Sequence, residues 1–324
     1  MATEGRERTA SDAERTASDA DRTLSDADRP WTHEQAVVGD VRLHYVAAGD
    51  DEDPLVVLLH GFPEFWYSWH DQIPALADAG YRVVAPDMRG YNLSEKPPGL
   101  DSYRMEELVG DVVNLIDHFG RDEATVVGHD WGGAIAWETA IRHPERVARL
   151  AVLNAPHPER FREELRSNPE QWRRSWYMLW FQLPALPEKL LGARTAFGVG
   201  RLLRESANPG TFGDDDLRRY REAAARPGAL GAAINYYRAL FRQNLVEQAR
   251  RLVGRAEPQR RLRVPTLLIW GEEDVALGTE LTEGLNDYVS DIRVERLPGA
   301  SHWVQNDRPE RVNDLLVEFC EEAE

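Results

Sequence analysis

The chain has 324 residues, 42% of them apolar, and a formal charge of −17 from 39 Lys and Arg against 56 Asp and Glu. That balance argues against nucleic-acid and anionic-membrane binding, which both call for clustered positive charge. A single cysteine, Cys320, rules out a disulfide framework, and no apolar run reaches the ~20 residues of a membrane span or forms a signal peptide, so the sequence predicts a soluble, cytoplasmic protein.

Lysine occurs only at Lys96 and Lys189; arginine supplies every other basic group. An acid-rich, lysine-poor surface fits a halophilic protein, because hydrated carboxylates keep a protein dissolved where salt screens ordinary charge repulsion. A mildly acidic protein from a GC-rich genome is the alternative reading.

Residues 7–28 repeat a seven-residue unit, ERTASDA, ERTASDA, DRTLSDA. Its apolar positions, Ala10, Ala13, Ala17, Ala20, Leu24 and Ala27, have coiled-coil spacing, but alanine buries little surface. The heavy charge favours a solvated tail, disordered or partly helical, so residues 1–30 are set outside the fold. From Trp31 onward, HEQAVVGDVRLHYVAAG predicts a hairpin around Gly39-Asp40. PLVVLLH, YRVVAPD, ATVVGH and ARLAVLN then read as buried strands, with helical patterns such as MEELVGDVVNLIDHFG between them. Apolar strands alternating with amphipathic helices imply parallel β-α-β units. After His157 the pattern turns helical and rich in Trp, Tyr, Leu and Arg, as in PEQWRRSWYMLWFQLP; strands resume with VPTLLIWGEED and DIRVERLPG, and RPERVNDLLVEFC closes the chain as a helix. The expected architecture is an α/β core over 31–157 and 257–324, a mostly parallel sheet flanked by helices. A helical cap over 158–256 would sit on the C-terminal edge of that sheet.

VVGHDWGGAIAWETA, residues 126–140, has the G-x-nucleophile-x-G pattern of a strand-to-helix elbow, with Asp130 where a serine is expected. Alone, Asp130 fits equally well as a helix N-cap. Three further stretches add to it. GEED ends at Asp274 after a buried strand, GASHW places His302 after the next strand, and HGFPEFWYSW from His60 follows the first buried strand. Nucleophile, acid, histidine is the chain order of the α/β-hydrolase fold, in which the backbone N–H groups of Phe62 and Trp131 would form the oxyanion hole. A carboxylate attacking an acyl carbon gives an anhydride, whereas attack on an electrophilic sp3 carbon gives a stable alkyl ester. Neutral His302, oriented by Asp274, would then activate water to break that ester. Glu272 and Glu273 could replace Asp274. Trp66 and His157 are candidate pocket residues, His157 with packing as its other reading, and His60 and His129 read as structural.

HGFPEFWYSW, DMRGYNLSEKP, GHDWGGAIAW, NAPHP and GASHW, spread over residues 60–303, resemble soluble epoxide hydrolases of the α/β-hydrolase superfamily. The resemblance covers essentially everything after Trp31. It implies that two cap tyrosines donate hydrogen bonds to the epoxide oxygen: SWYMLWFQ points to Tyr177 and INYYRAL to Tyr237, while Tyr236, Tyr67 and Tyr91 keep packing roles. Haloalkane dehalogenases resemble the chain equally at Asp130, Asp274 and His302. In that family Trp131 would bind halide, helped by an asparagine at position 62, which here is Phe62, or by a cap tryptophan. Members that take their acid from the end of the preceding strand would need it at Asn154, which leaves Asp274. A non-catalytic binding protein on the same fold has no need of the full set. No cluster has metal-ligand spacing and no phosphate loop is present, so neither metal nor other cofactor is expected. The expected partners are a small apolar epoxide and water, with the chain as monomer or homodimer.

Overall fold

The computed structural model describes residues 30–252 and 261–322, so the N-terminal repeat lies outside the described residues. Strands β1 (Thr32–Val38) and β2 (Val41–Ala48) form the expected hairpin, with Val38 opposite Val41 and Gly39 at φ +58° in the turn. β3 (Leu55–Leu59), β4 (Arg82–Pro86), β5 (Ala124–His129), β6 (Val147–Leu153), β7 (Thr266–Gly271) and β8 (Ile292–Leu297) complete one sheet in the order β1-β2-β4-β3-β5-β6-β7-β8. The β1–β2 and β2–β4 pairs are antiparallel and the pairs from β4 to β8 parallel. Every residue of β3, β5 and β7 is buried, as uninterrupted apolar runs require when helices cover both faces of a sheet. The edge strands carry more polar residues, with His33, Glu34 and Gln35 exposed on β1, and Arg296 exposed and Arg293 and Glu295 half-buried on β8, which discourages pairing with another sheet.

Helices α1 (Gln72–Asp78), α2 (Met105–His118) and α3 (Trp131–Arg142) lie between the strands. α2 shows why they form. Leu108, Val109, Val112, Leu115 and Ile116 recur on one buried stripe, Glu106 and Glu107 occupy the first turn, and His118 the last, all favourable to the helix dipole. Among the described residues six helices then intervene between β6 and β7: α4 (Pro158–Ser167), α5 (Pro169–Arg174), α6 (Trp176–Trp180), α7 (Leu186–Ser206), α8 (Asp214–Ala224) and α9 (Ala229–Leu252). α10 (Val304–Asp307) and α11 (Pro309–Glu321) close the chain, α11 against α1 and α2 against α3. Among the described residues no helix is long and apolar enough to cross a membrane.

PEQWRRSWYMLWFQLP is helical but not one helix: it breaks at Ser175 and again after Trp180. The segment is apolar on more than one face, and the breaks let Phe181 turn into the core while Trp172 and Trp176 stay exposed. α7 is likewise interrupted, with non-helical backbone from Ala193 to Ala196. Hydrogen bonds tie the inserted helices to loops that leave the C-terminal ends of the strands. Tyr67 Oη donates to Asp216 (2.9 Å), Tyr236 Oη to the Arg89 carbonyl (2.7 Å), Gln171 Nε2 to the Ala276 carbonyl (2.9 Å) and Asn208 Nδ2 to the Gly299 carbonyl (2.8 Å).

The strand order reverses between β3 and β5, the position at which an open α/β sheet parts its loops and leaves a crevice. β3 runs into His60-Gly61-Phe62 there and β5 into Asp130. Close backbone approach makes this possible: a Cβ at Gly128 would lie 2.3 Å from the Gly132 carbonyl oxygen, and one at Gly132 would lie 2.0 Å from that of Leu59. Gly132→Ala should therefore destabilise the protein by about 1–3 kcal/mol or more, through forced backbone movement. Gly110→Ala, in α2 with open space at its Cβ position, should stabilise by roughly 0.5–1 kcal/mol from helix propensity. Urea unfolding of both variants checks the pair, and equal effects would contradict this account of the elbow.

Candidate active site

Asp130 stands at the elbow with φ +49° and ψ −116°, outside the regions open to ordinary side chains. Strain at such a position persists only where its surroundings enforce it. Although Asp130 immediately precedes α3, its side chain makes no capping hydrogen bond. Oδ1 instead accepts the Phe62 backbone N–H at 2.7 Å, across the crevice from β3. The N-cap reading is thus replaced by a carboxylate aimed away from its helix. Trp131 opens α3, where a backbone N–H has no acceptor within the helix.

His302 is buried and faces Asp130 and Asp274. Its Nδ1 lies 2.6 Å from Asp274 Oδ2, and its Nε2 lies 3.6 Å from Asp130 Oδ2. Burial by itself would lower the imidazole pKa; the charge of Asp274, with Asp130 beside it, instead raises it well above the usual value. For Asp274, burial pushes upward, and His302, Asn154 and the Ala276 N–H outweigh it to leave the carboxyl below the ordinary range. Every lone pair of this acid is engaged: Oδ1 accepts the N–H groups of Ala276 (2.7 Å) and Leu277 (3.0 Å), and Oδ2 accepts Asn154 Nδ2 (2.8 Å). Glu272 and Glu273 are exposed and Asp274 is buried, so Asp274 is the residue that meets the histidine.

Two supporting groups escaped the sequence reading. Asn154, directly after β6, holds Asp274 with Nδ2 and accepts the Gly271 N–H with Oδ1 (2.8 Å), so the residue at the alternative acid position orients the acid that meets the histidine. Glu64 accepts Gly61 N–H and faces His129 Nδ1, both at 2.7 Å, and Gln305 Nε2 donates to its other oxygen at 3.1 Å. Burial opposes the charge on Glu64, yet His129, with Ser68 and the Gly61 N–H, holds its carboxyl down at about 2. His129 Nε2 in turn contacts the His302 carbonyl at 2.9 Å, which ties the histidine loop to the elbow strand. The available signal was proximity to motif residues: Glu64 lies in HGFPE and His129 directly precedes Asp130. His60, by contrast, is a packing residue as expected, with Nδ1 on the Gly61 carbonyl and Nε2 accepting the Met88 N–H.

A cavity of about 140 Å³ opens beside Asp130. Trp131, Tyr177 from α6 and Tyr237 from α9 line it together with Asp130, and Met105, Phe161, Leu165, Met178, Leu240 and Leu277 make most of the remaining wall apolar. The two tyrosine rings lie 6.0 Å apart and nearly perpendicular. Burial, followed by the charge of Asp130, raises both phenols well above 10. The Trp131 side chain hydrogen-bonds Tyr237 and meets its ring edge-on at 5.0 Å.

Neither Trp66 nor His157 lines this cavity, contrary to expectation for Trp66 and in line with the packing reading of His157. Trp66 packs among Trp31, His33 and Phe65 behind the β3 loop. His157 stacks on Tyr288, contacts Trp137 and accepts the Glu159 N–H as the cap of α4; burial lowers its pKa to about 4. Both are aromatic rings consumed by packing, which sequence position alone did not reveal.

The family model described as alpha/beta hydrolase fold matches residues 54–309. The AB hydrolase superfamily protein YfhM of Bacillus subtilis is 43% identical over 279 residues, 86% of this chain and 94% of that protein. Epoxide hydrolase 1 of Caenorhabditis elegans is 40% identical over 294 residues, 89% of this chain and 70% of that one. Among solved structures, the epoxide hydrolase of Bacillus megaterium in complex with an inhibitor is similar with a TM-score of 0.80 at 34% identity, covering 89% of this chain and 100% of that one. With its elbow, its fold and these relatives in agreement, the chain belongs to the epoxide hydrolases of the α/β-hydrolase superfamily.

Proposed function

We propose that the protein hydrolyses apolar epoxides to vicinal diols through a covalent ester on Asp130, with the six inserted helices acting as a cap over the site. The observation that carries this reading is the pair of buried phenols, Tyr177 and Tyr237, lining the same cavity as Asp130. An oxirane opens by expelling its oxygen as an alkoxide, which needs a proton donor; a halide needs only N–H groups. Two phenols with raised pKa values remain protonated and can share that oxygen. The alternative, halide release, draws no support from the cap: among the described residues no tryptophan of the inserted helices lines the cavity, and Trp131 is engaged with Tyr237. The apolar wall favours hydrocarbon around the oxirane.

Chemistry follows from which oxygen is free. Phe62 N–H holds Oδ1, so Oδ2 supplies the electron pair that forms the C–O bond, while the ring C–O bond breaks and its electrons go to the oxygen facing the tyrosines. In the second step His302 Nε2 takes a proton from water, and hydroxide adds to the ester carbonyl carbon. The resulting oxyanion lies where the N–H groups of Phe62 and Trp131 converge. Collapse expels the alkoxide, which takes the proton held by His302 and leaves as the diol, while the carboxyl proton left on Asp130 returns to the tyrosine that protonated the oxirane oxygen, so the carboxylate is restored. His302 must be neutral for that step. In the resting site two carboxylates favour its cation, and alkylation of Asp130 removes one of them, so the base loses its proton more readily once the ester exists.

His302→Gln should accumulate alkylated Asp130 after one turnover, visible as the mass of one substrate added to the peptide spanning 126–140. Continued turnover with that peptide unmodified would remove the ester from the mechanism. Replacing both tyrosines, Tyr177→Phe with Tyr237→Phe, should reduce alkylation by about 10²–10⁴-fold, the usual contribution of acid catalysis, while circular dichroism stays unchanged. In single-turnover measurements, hydrolysis of the preformed ester should rise with pH and level off as His302 deprotonates; a rate that falls as pH rises from about 5 to 8 would exclude it as the base.

A further inference from the structure

The formal charge of −17 is unevenly spread. Between Pro158 and Ala256 the sequence carries 18 Arg and Lys against 11 Asp and Glu, and the rest of the chain carries 21 against 45. The same segment holds a run of exposed apolar side chains: Trp172, Trp176, Leu179, Leu183, Leu186 and Leu190, between 43% and 62% exposed. They recur every three or four residues. That spacing puts Trp176 and Leu179 on one face of α6, and Leu186 and Leu190 on one face of α7. Lys189 is exposed within the run and Arg194 just beyond it, Arg173 is exposed and paired with Glu170 at 2.7 Å, and the Arg221 guanidinium lies over the exposed Phe197 ring at 5.9 Å. Among the described residues outside the inserted helices, the exposed large apolar ones, Val37, Leu93, Val275 and Val294, are far apart in sequence.

We infer that this outer face of the inserted helices docks the enzyme peripherally on an anionic lipid surface, with the Trp and Leu side chains at the headgroup boundary and the cations on the headgroups. Tryptophan and leucine beside arginine and lysine is the composition that suits that boundary. A second copy of the chain fits less well in either orientation. Packing the face on itself would bring Arg173, Lys189 and Arg194 against their own copies, and the acidic remainder offers matching charge but no comparable apolar run. An anionic lipid layer supplies both complements. The geometry also links this face to the chemistry, because α6 turns Tyr177 and Met178 into the cavity while Trp176 and Leu179 face outward. Docking there would let an apolar epoxide pass from lipid to the site, a consequence that rests on the epoxide reading; the docking itself does not.

The test is co-sedimentation of the full chain with vesicles of phosphatidylglycerol and phosphatidylcholine, and with phosphatidylcholine alone, beside turnover of a water-soluble epoxide without vesicles. The protein should partition to the anionic vesicles roughly tenfold better than to the neutral ones. Trp172→Ser, Trp176→Ser and Leu190→Ser together should weaken that partitioning by roughly tenfold or more, with vesicle-free turnover unchanged. Lys189→Glu with Arg194→Glu should erase the preference for anionic lipid. Absence of sedimentation, or equal sedimentation of wild type and triple variant, overturns the proposal. So does a wild-type dimer that the triple variant splits into monomers without any vesicle binding, which would make the face an interface between copies. Docking without epoxide turnover would instead uphold the surface and reject the catalytic reading.

Discussion

The 2.6 Å contact between His302 Nδ1 and buried Asp274 decides which ring nitrogen is left to face Asp130, and much of the site is arranged so that this contact survives. Asp274 can stay charged without water because two backbone N–H groups and Asn154 occupy its remaining lone pairs. Asn154 in turn holds the Gly271 N–H, so the ends of β6 and β7 move as one. From the other side, the buried Glu64–His129 pair fixes the His302 backbone through its carbonyl. A histidine on a loop is thereby held from both ends by groups belonging to strands β5, β6 and β7 and to the loop after β3. A rigid sheet edge, and not the loop itself, sets the distance to Asp130.

Asp130 obeys the same logic with a different force. A carboxylate at a positive φ beside a helix N-terminus would gain most by turning back to cap that helix. Phe62 N–H offers a stronger claim at 2.7 Å, and the close packing of Gly128 and Gly132 leaves the elbow no slack in which to relax. One oxygen is thus fixed before any substrate arrives. The other is left to the cavity, where a capping residue would have turned it back to the helix.

How much of this was legible in the sequence follows from how local each signal is. The parallel strands, the elbow at Asp130 and the order of Asp274 and His302 are written in contiguous runs, and the sheet carries them as read. Asn154 was noticed only as the absence of an acid, because its partner is 120 residues away and nothing local announces the bond. Glu64 was passed over inside a motif that had been read for its backbone. Trp66 and His157 failed in the opposite direction: aromatic residues near a site are conspicuous, but whether a ring lines a cavity or packs behind it depends on side-chain direction, which the sequence does not carry. The broken helices between Ser167 and Leu186 share this cause, since a segment apolar on several faces has no single period to follow.

Net charge is the coarsest quantity read from the chain, and it concealed the most. An average of −17 describes neither the acidic sheet domain nor the basic helices inserted into it. Electrostatic attraction fades within a Debye length of about 8–10 Å at ordinary ionic strength, so a surface responds to the charges of the face it meets and hardly to those on the far side of the protein. For a helix as thin as α6, with the cavity-lining Tyr177 on one side and exposed tryptophan on the other, that range spans the distance between solvent and cavity. Composition can exclude a partner for the whole molecule only when the charge is uniform, and here it is divided along the same boundary that divides the sheet from the inserted helices.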